Sequence, residues 1–121
     1  MTSGKIDGPH YSPFTVAGGL VFVSGQLPLR PGRDTSLTHA PIAEQAEQAL
    51  QNLKSVLEQA GVGLARVVKT TIFLSDIDDW GEVDAIYARF FGDNRPARSV
   101  VPTGPLHFDF RIEIEAIARA N

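Results

Sequence analysis

The stretch RIEIEAIA, residues 111–118, decides the fold that this sequence predicts. Every second side chain is apolar, and these residues share one face of an extended chain: Ile112, Ile114, Ala116 and Ala118. The other face is charged apart from Ile117, and it carries Arg111, Glu113, Glu115 and, one step further on, Arg119. A period of two residues is typical of a β-strand. We expect this strand to lie near the centre of a sheet, where a charged face needs an explanation.

Four further strands are predicted on its N-terminal side. They are short runs of β-branched and apolar residues: 14–17, 20–25, 66–74 and 99–101. Gly18 and Gly19 separate the first two strands, and this pair permits the positive φ angles of a hairpin turn. Residues 20–23 are apolar on both faces, so we expect both faces of that strand to be covered.

Two amphipathic helices separate the strands. The first is predicted over residues 42–60, and its apolar stripe recurs every three or four residues: Ala43, Ala46, Leu50, Leu53, Leu57 and Ala60. The second is predicted from Asp79 to Gly92, with Asp79 as the N-cap and Glu82 in a capping-box arrangement. Its expected buried stripe consists of Trp80, Val83, Tyr87 and Phe90.

The element order β-β-α-β-α-β-β predicts an α+β fold, a mixed sheet with both helices packed on one face. We expect one domain over residues 13–121, preceded by a flexible arm, residues 1–12, that is rich in Gly, Pro and Ser. The sheet face without helices then mixes apolar and charged residues: Val67, Phe73, Ile117, Arg111 and Glu113. Such a face is poor for solvent, and it suits contact with another subunit around a cleft.

The composition excludes several classes of site. The chain has no cysteine, which rules out disulfides, thiolate zinc sites and cysteine nucleophiles. Its formal net charge of −3 argues against a DNA-binding surface. No apolar run approaches the roughly 20 residues that span a bilayer, and residues 1–14 lack the apolar core of a secretory signal. We therefore expect a cytoplasmic protein that binds neither DNA nor membranes.

No motif in the sequence points to a metal or a cofactor. His10, His39 and His107 are far apart and lack the spacing of metal ligands. The glycines form no phosphate-binding loop, and neither Ser24 nor Ser75 lies in a nucleophile elbow. Aromatic residues of the second helix could stack nucleic-acid bases, but their helical spacing favours core packing.

Arg98 and Glu113 are the pair of residues best suited to chemistry. Both belong to the C-terminal strand pair, and the loop between these strands could bring the two side chains together. Arginine offers a planar fork that binds a carboxylate in bidentate fashion, and glutamate can act as a base or hold a water molecule. On spacing alone, a structural salt bridge or two solvated charges is the more common outcome for such a pair.

Several motifs in one register resemble the YjgF/YER057c/RidA family of reactive-intermediate deaminases, also described as L-PSP endoribonucleases. They are FVSGQLP (22–28), VVKTTIFLSDIDDW (67–80), VDAIYARFF (83–91), RPARS (95–99) and IEIEAIA (112–118). The resemblance implies a chorismate-mutase-like fold assembled as a homotrimer, with clefts between subunits. It also implies hydrolysis of imines and enamines to 2-keto acids and ammonia without any cofactor. The charged face of the last strand would then line a cleft, with Glu115 and Arg111 paired across the interface.

The resemblance also assigns site residues. Arg98 is expected to hold the substrate carboxylate, and Glu113 to orient or activate the attacking water. The other expected substrate-binding positions are Phe14, Ser24, Gly25, Asp84, Tyr87, Ser99 and Val100. Three of them differ from the residue that is common in the family: Phe14 replaces a tyrosine, Asp84 an asparagine and Val100 a cysteine. An acid beside a carboxylate site repels an anionic substrate unless it is protonated, turned away or paired, which suggests a larger or differently charged imine.

Two other functions fit the same residues. A binding or chaperone-like module could sense a small carboxylate through Arg98 without turning it over. An endoribonuclease of the L-PSP type is the other alternative, although net acidity and the lack of a basic, aromatic surface weigh against RNA as a partner.

Overall fold

The computed structural model describes residues 8–121, so most of the predicted flexible arm, residues 1–7, lies outside the described residues. The predicted order of elements is confirmed: β1 (Phe14–Ala17), β2 (Leu20–Gln26), α1 (Ile42–Gln59), β3 (Val67–Leu74), α2 (Trp80–Phe91), β4 (Ala97–Pro102) and β5 (Ile112–Arg119). The β4 strand begins two residues before its predicted start at Ser99. None of the helices in residues 8–121 is long and apolar enough to cross a membrane.

The strands form one sheet in the order β1-β2-β5-β3-β4, with β5 at its centre as its apolar face predicts. Strands β3 and β4 are parallel because α2 carries the chain back across the sheet between them. The other neighbouring pairs are antiparallel. The sheet is therefore mixed, and the predicted α+β class is confirmed.

The core lies between one face of the sheet and the two helices. All four alternate apolar residues of β5 are buried in it: Ile112, Ile114, Ala116 and Ala118. They pack with the apolar stripe of α1, which is buried at Ala46, Leu50, Leu53 and Leu57 as predicted. The buried stripe of α2 differs from the prediction, since Ile86 and Phe91 are buried while Trp80 and Phe90 are only half-buried. The helix packs mainly against α1, which is where this difference in its buried residues arises.

Asp79 is the N-cap residue of α2 as predicted, but its side chain forms no capping hydrogen bond. Asp76 caps the short 3₁₀ turn before α2 by accepting a hydrogen bond from the backbone N–H of Asp78 (2.9 Å). The Asp79 carboxylate instead accepts hydrogen bonds from Nε (3.0 Å) and Nη2 of Arg111. Arg111 therefore pairs within its own chain, and its expected contact with Glu115 across an interface stays a prediction. The pair ties the start of α2 to the start of β5.

The sheet face away from the helices, called the open face below, is uncovered in the single chain. Its residues are Phe22, Lys69, Thr71, Phe73, Ser99, Glu113, Glu115 and Ile117, as the strand registers require. Phe22 is 39% exposed, so only one face of β2 is covered within the chain. Val67 was predicted on this face, but a bulge at Val68 turns Val67 into the core, where it is buried.

Candidate active site

Arg98 lies on an aromatic platform that α2 supplies. In the edge strand β4 it is opposite Thr70, and its side chain extends on the helix side of the sheet. The guanidinium carbon is 4.6 Å from the ring centre of Trp80 and 4.9 Å from that of Tyr87. Both distances are within the range of cation–π attraction, so two rings fix the orientation of the guanidinium.

Asp84 provides the charged partner of Arg98. Nη1 of Arg98 donates a hydrogen bond of 2.9 Å to Oδ1 of Asp84. Trp80, Asp84 and Tyr87 are spaced at i, i+4 and i+7, which places them on one side of α2. Trp80 was predicted to lie in the core, and its contact with Arg98 was not predicted. The helical spacing of these three residues is the signal that could have revealed it.

Tyr87 is held firmly beneath Arg98. Its hydroxyl shares a hydrogen bond of 2.7 Å with Oγ1 of the fully buried Thr70, and its ring lies 4.6 Å from that of Phe91. Burial raises the pKa of the Tyr87 hydroxyl, so it stays protonated at neutral pH. Tyr87, Arg95 and Arg98 line a cavity of about 490 Å³ at this edge of the sheet.

Glu113 lies on the open face of β5, against Gly25. A bulge in β2 sets two residues, Ser24 and Gly25, opposite the single residue Glu115. A methyl group added to Gly25 would overlap Oε2 of Glu113 and lie 2.9 Å from its Cδ. Only glycine leaves room for the carboxylate in this position. Within residues 8–121, Glu113 forms no salt bridge.

The surroundings of Glu113 make ionisation of its carboxyl less favourable than at an exposed glutamate. Burial raises the pKa of the Glu113 carboxyl, the Glu115 carboxylate raises it further, and His107 opposes both effects. A carboxylate with a raised pKa is a stronger base once ionised. Glu113 can therefore accept a proton from a water molecule more readily than an ordinary surface glutamate.

A cavity of about 650 Å³ surrounds Glu113. Its lining includes Tyr11, Ser24, Gly25, Arg33, His107 and Glu113. The Ser24 hydroxyl donates a hydrogen bond of 2.6 Å to the carbonyl of Ser12, which holds the chain before β1 against this wall. No role was predicted for Arg33 or His107, since neither belongs to a motif; Arg33 lies in a loop and His107 begins a short 3₁₀ turn.

A side chain of α1 fixes the loop that follows β2. Nδ2 of Asn52 donates hydrogen bonds to the carbonyls of Leu27 (2.9 Å) and Leu29 (2.7 Å). Leu27 and Leu29 line the same cavity as Glu113, so this helix sets the shape of one wall.

The predicted site residues fall into two groups within one chain. Arg98, Asp84 and Tyr87 lie together on the helix side, whereas Ser24 and Gly25 surround Glu113 on the other side of the sheet. Among the rest, Phe14 and Val100 are half-buried against the core, and Ser99 accepts a hydrogen bond of 3.1 Å from Nζ of Lys69 on the open face. Among residues 8–121, no three His, Asp or Glu side chains converge to hold a metal ion.

The expectation that the C-terminal strands bring Arg98 and Glu113 together is wrong for a single chain. Strand β4 pairs with β3, and β3 separates it from β5. The physical reason is the crossover through α2, which leaves β4 parallel to β3 at the edge of the sheet. The two side chains leave opposite faces of the sheet and line different cavities.

Comparison with known proteins supplies the family. Residues 6–120 match the family described as Endoribonuclease L-PSP. Protein HMF1 of Saccharomyces cerevisiae is 44% identical over 108 residues, which cover 89% of this chain and 82% of that protein. The 2-iminobutanoate/2-iminopropanoate deaminase of Escherichia coli K12 is 42% identical over 104 residues, covering 84% and 80% of the two chains.

Solved structures agree with this match. The YjgF gene product of E. coli superposes with a TM-score of 0.83 at 38% identity, covering 96% of this chain and 91% of that one. The yeast protein YEO7 superposes with a TM-score of 0.87 at 40% identity, covering 94% and 90%. The resemblance read from the sequence motifs is thus confirmed, and the chain belongs to the Endoribonuclease L-PSP family, also known as the YjgF/RidA family.

Proposed function

We propose that this protein hydrolyses imines and enamines of 2-keto acids to the free keto acid and ammonia, without a cofactor. The observation that carries the proposal is Arg98, an oriented guanidinium at the edge of a cavity. It is supported by a relative at 42% identity that is named 2-iminobutanoate/2-iminopropanoate deaminase. Activity of this kind occurs in the family, and the roles of individual residues below are our proposal.

The proposed reaction needs few groups because an imine carbon is already electrophilic. Arg98 binds the substrate carboxylate and fixes the position of C2. Glu113 takes a proton from water as the water oxygen bonds to C2, the C=N electron pair moves to the nitrogen, and Glu113 passes that proton to the nitrogen to give a carbinolamine. Glu113 then takes the hydroxyl proton of the carbinolamine and delivers it to the nitrogen as the C–N bond breaks and C=O forms, so that the keto acid and ammonia leave. An enamine first gains a proton at C3 and loses one from its nitrogen to become the imine.

The site is proposed to form between copies of the chain in a homotrimer. One chain cannot present Arg98 and Glu113 to the same small molecule, because the sheet separates them. A closed ring of three copies repeats one contact three times, and it can set the Arg98 side of one copy against the Glu113 cavity of the next. Such a ring would also cover Phe22 and Ile117 on the open face. The other proposed lining residues are Phe14, Ser24, Gly25, Tyr87, Ser99 and Val100.

The test measures keto-acid release from imines generated in situ by an amino-acid oxidase. Wild-type protein is expected to speed release, and Arg98→Ala to lower kcat/KM by about a hundredfold, since it removes a charged contact to the substrate. Arg98→Lys keeps the charge without the planar fork and is expected to recover only part of the rate.

A wild-type protein no faster than buffer, across small and bulky imines, would contradict the proposal. If such a protein still bound a 2-keto acid through Arg98, the non-catalytic binding module would be the correct function.

The family's description favours RNA cleavage as a second candidate. The net charge of −3 weighs against it, because RNA binding depends on basic surfaces. RNA cleavage by wild type that is lost in Arg98→Ala and Glu113→Gln would support this candidate, whereas cleavage that persists in both variants would point to a different site or to a contaminant.

A further inference from the structure

We propose that Asp84 sets the substrate preference of this enzyme by competing with the substrate carboxylate for Arg98. The expected substrates are 2-imino acids that carry an additional cationic group, such as the imine of arginine, rather than simple aliphatic 2-imino acids. This inference rests on the function proposed above and specifies the substrate class of the same site.

Arg98 already contacts a carboxylate of its own chain. Oδ1 of Asp84 accepts a hydrogen bond from Nη1 of Arg98 at 2.9 Å, so one edge of the guanidinium already holds a carboxylate. The rings of Trp80 and Tyr87 lie within 5 Å of the guanidinium carbon and restrict its movement away from Asp84. A substrate carboxylate that binds Arg98 must therefore displace Asp84 or bind beside it.

Arg98 and Asp84 are both accessible from solvent. The side chains of Arg98 and Asp84 are 32% and 47% exposed, so both can be reached by a small molecule. An ion pair exposed to this degree is weak, because water competes with it. Asp84 therefore lowers the affinity of Arg98 for an anion without closing the site.

The charged side chains around Arg98 determine which ligands are favoured. Asp84 offsets the charge of Arg98, and Glu113 in the proposed cleft offsets that of Arg95 in the same cavity, so the site offers no net charge to a simple anion. The acidic side chains of the site disfavour a ligand that carries only one negative charge. A ligand with an additional cationic group can place that group against Asp84 while its own carboxylate contacts Arg98. An asparagine at position 84 would remove this discrimination while still accepting a hydrogen bond from Arg98.

The experiment compares wild type with Asp84→Asn on two imines, 2-iminopropanoate and the imine of arginine. Asp84→Asn is expected to raise kcat/KM for 2-iminopropanoate by about tenfold and to lower it for the arginine imine, because one repulsive and one attractive contact are lost. The matched control is Glu82→Gln, which removes an exposed acid from the first turn of α2 and is expected to leave the ratio of the two rates unchanged.

An active wild type whose ratio of rates is the same in Asp84→Asn would overturn the inference and leave the deaminase function standing. If no protein turns over either imine, the deaminase function fails, and binding of pyruvate decides the role of Asp84. Asp84→Asn is then expected to lower the Kd for pyruvate by about tenfold. An equal Kd in both proteins would overturn the inference.

Discussion

The absence of a side chain at Gly25 leaves room for the Glu113 carboxylate in its observed position. The bulge in β2 brings the Gly25 backbone against the Glu113 carboxylate, where an added methyl group has no room. The atoms that would clash are the far end of a flexible side chain, so Glu113 can turn away at little cost in stability. The glycine thus serves the position of the carboxylate rather than the stability of the fold.

Gly25→Ala is therefore expected to lower kcat by about tenfold or more and to change the melting temperature little, because it displaces the carboxylate proposed to act as the base. The measurements are imine hydrolysis and thermal unfolding on the same preparation. Gly63→Ala is the control, since a methyl group there meets nothing within 4 Å. Unchanged kcat in Gly25→Ala would show that the carboxylate position does not matter.

The raised pKa of Glu113 also has a consequence for stability. A carboxyl whose pKa is higher in the folded state than in the unfolded state contributes stability below its ordinary pKa of 4.5, and this contribution is lost as the pH rises through the folded-state value. Glu113→Gln removes this half-buried ionisable group. We expect it to raise the melting temperature at about pH 7 and to have little effect at about pH 4.

Glu47→Gln, at an exposed glutamate of α1, provides the comparison for this measurement. A Glu113→Gln protein that melts at or below the wild-type temperature at neutral pH would contradict the stated cause of the pKa shift.

Candidate site residues could be selected from the sequence, but their contacts could not be predicted from it. Arg98 and Glu113 were selected for their functional groups and for the family motifs that contain them. The pairing of the Asp79 carboxylate with Arg111 could not be predicted from the sequence pattern around Asp79, because the two residues are 32 positions apart. Contacts of this length depend on how the elements pack.

At the scale of elements, Gln45 joins three segments of the chain. Its Nε2 donates hydrogen bonds to the carbonyls of Thr38 (3.1 Å) and Ala40 (3.0 Å), and its Oε1 accepts one from the backbone N–H of Arg111 (2.9 Å). The side chain is fully buried. It therefore fixes the start of α1 to the entrance of β5.

Gln45→Ala is expected to lower the free energy of unfolding by about 3 kcal/mol, since it leaves buried backbone groups without partners. Gln51→Ala, on the exposed side of the same helix, should change it by less than about 0.5 kcal/mol. Chemical denaturation measures both. A loss in Gln45→Ala no larger than in the control would mean that water replaces the side chain.

The elements themselves were predictable because hydrophobic period is a local property. The pattern of residues 111–118 gave a central strand, and the stripe of α1 gave a helix with nearly correct ends. The neighbour of β4 was not predictable in this way, since a loop between β4 and β5 suggests adjacent strands whereas the crossover through α2 pairs β4 with β3. The bulges at Val68 and Gly25 also escaped the alternating pattern, and each changes which side chain faces the core or the site.

At the scale of the whole molecule, the proposal requires that different copies supply Arg98 and Glu113. Arg98→Ala and Glu113→Ala proteins, each inactive alone, can test this when they are unfolded together and refolded in equal amounts. Random assembly leaves about a quarter of the clefts with both native residues, so about a quarter of the wild-type activity is expected to return. Native mass spectrometry of the mixture measures the assembly.

The control for this mixture is each variant refolded alone. Mixed trimers without any recovered activity would mean that both residues act from the same copy, and a monomeric wild type would exclude the shared cleft. The uncovered face of the sheet was predictable from the sequence, because two helices cover only one face of a five-stranded sheet. The number of copies remains a proposal that rests on family resemblance.

In the proposed site, the central sheet separates the residues that would bind the substrate from those that would activate water. Substitutions on α2 can alter which molecule Arg98 accepts, while the bulge in β2 places Glu113 on the opposite face of the sheet and is not disturbed. Recognition and water activation can then diverge independently during evolution. A rigid partition of this sort offers a physical route by which closely similar scaffolds acquire different substrates without losing their chemistry.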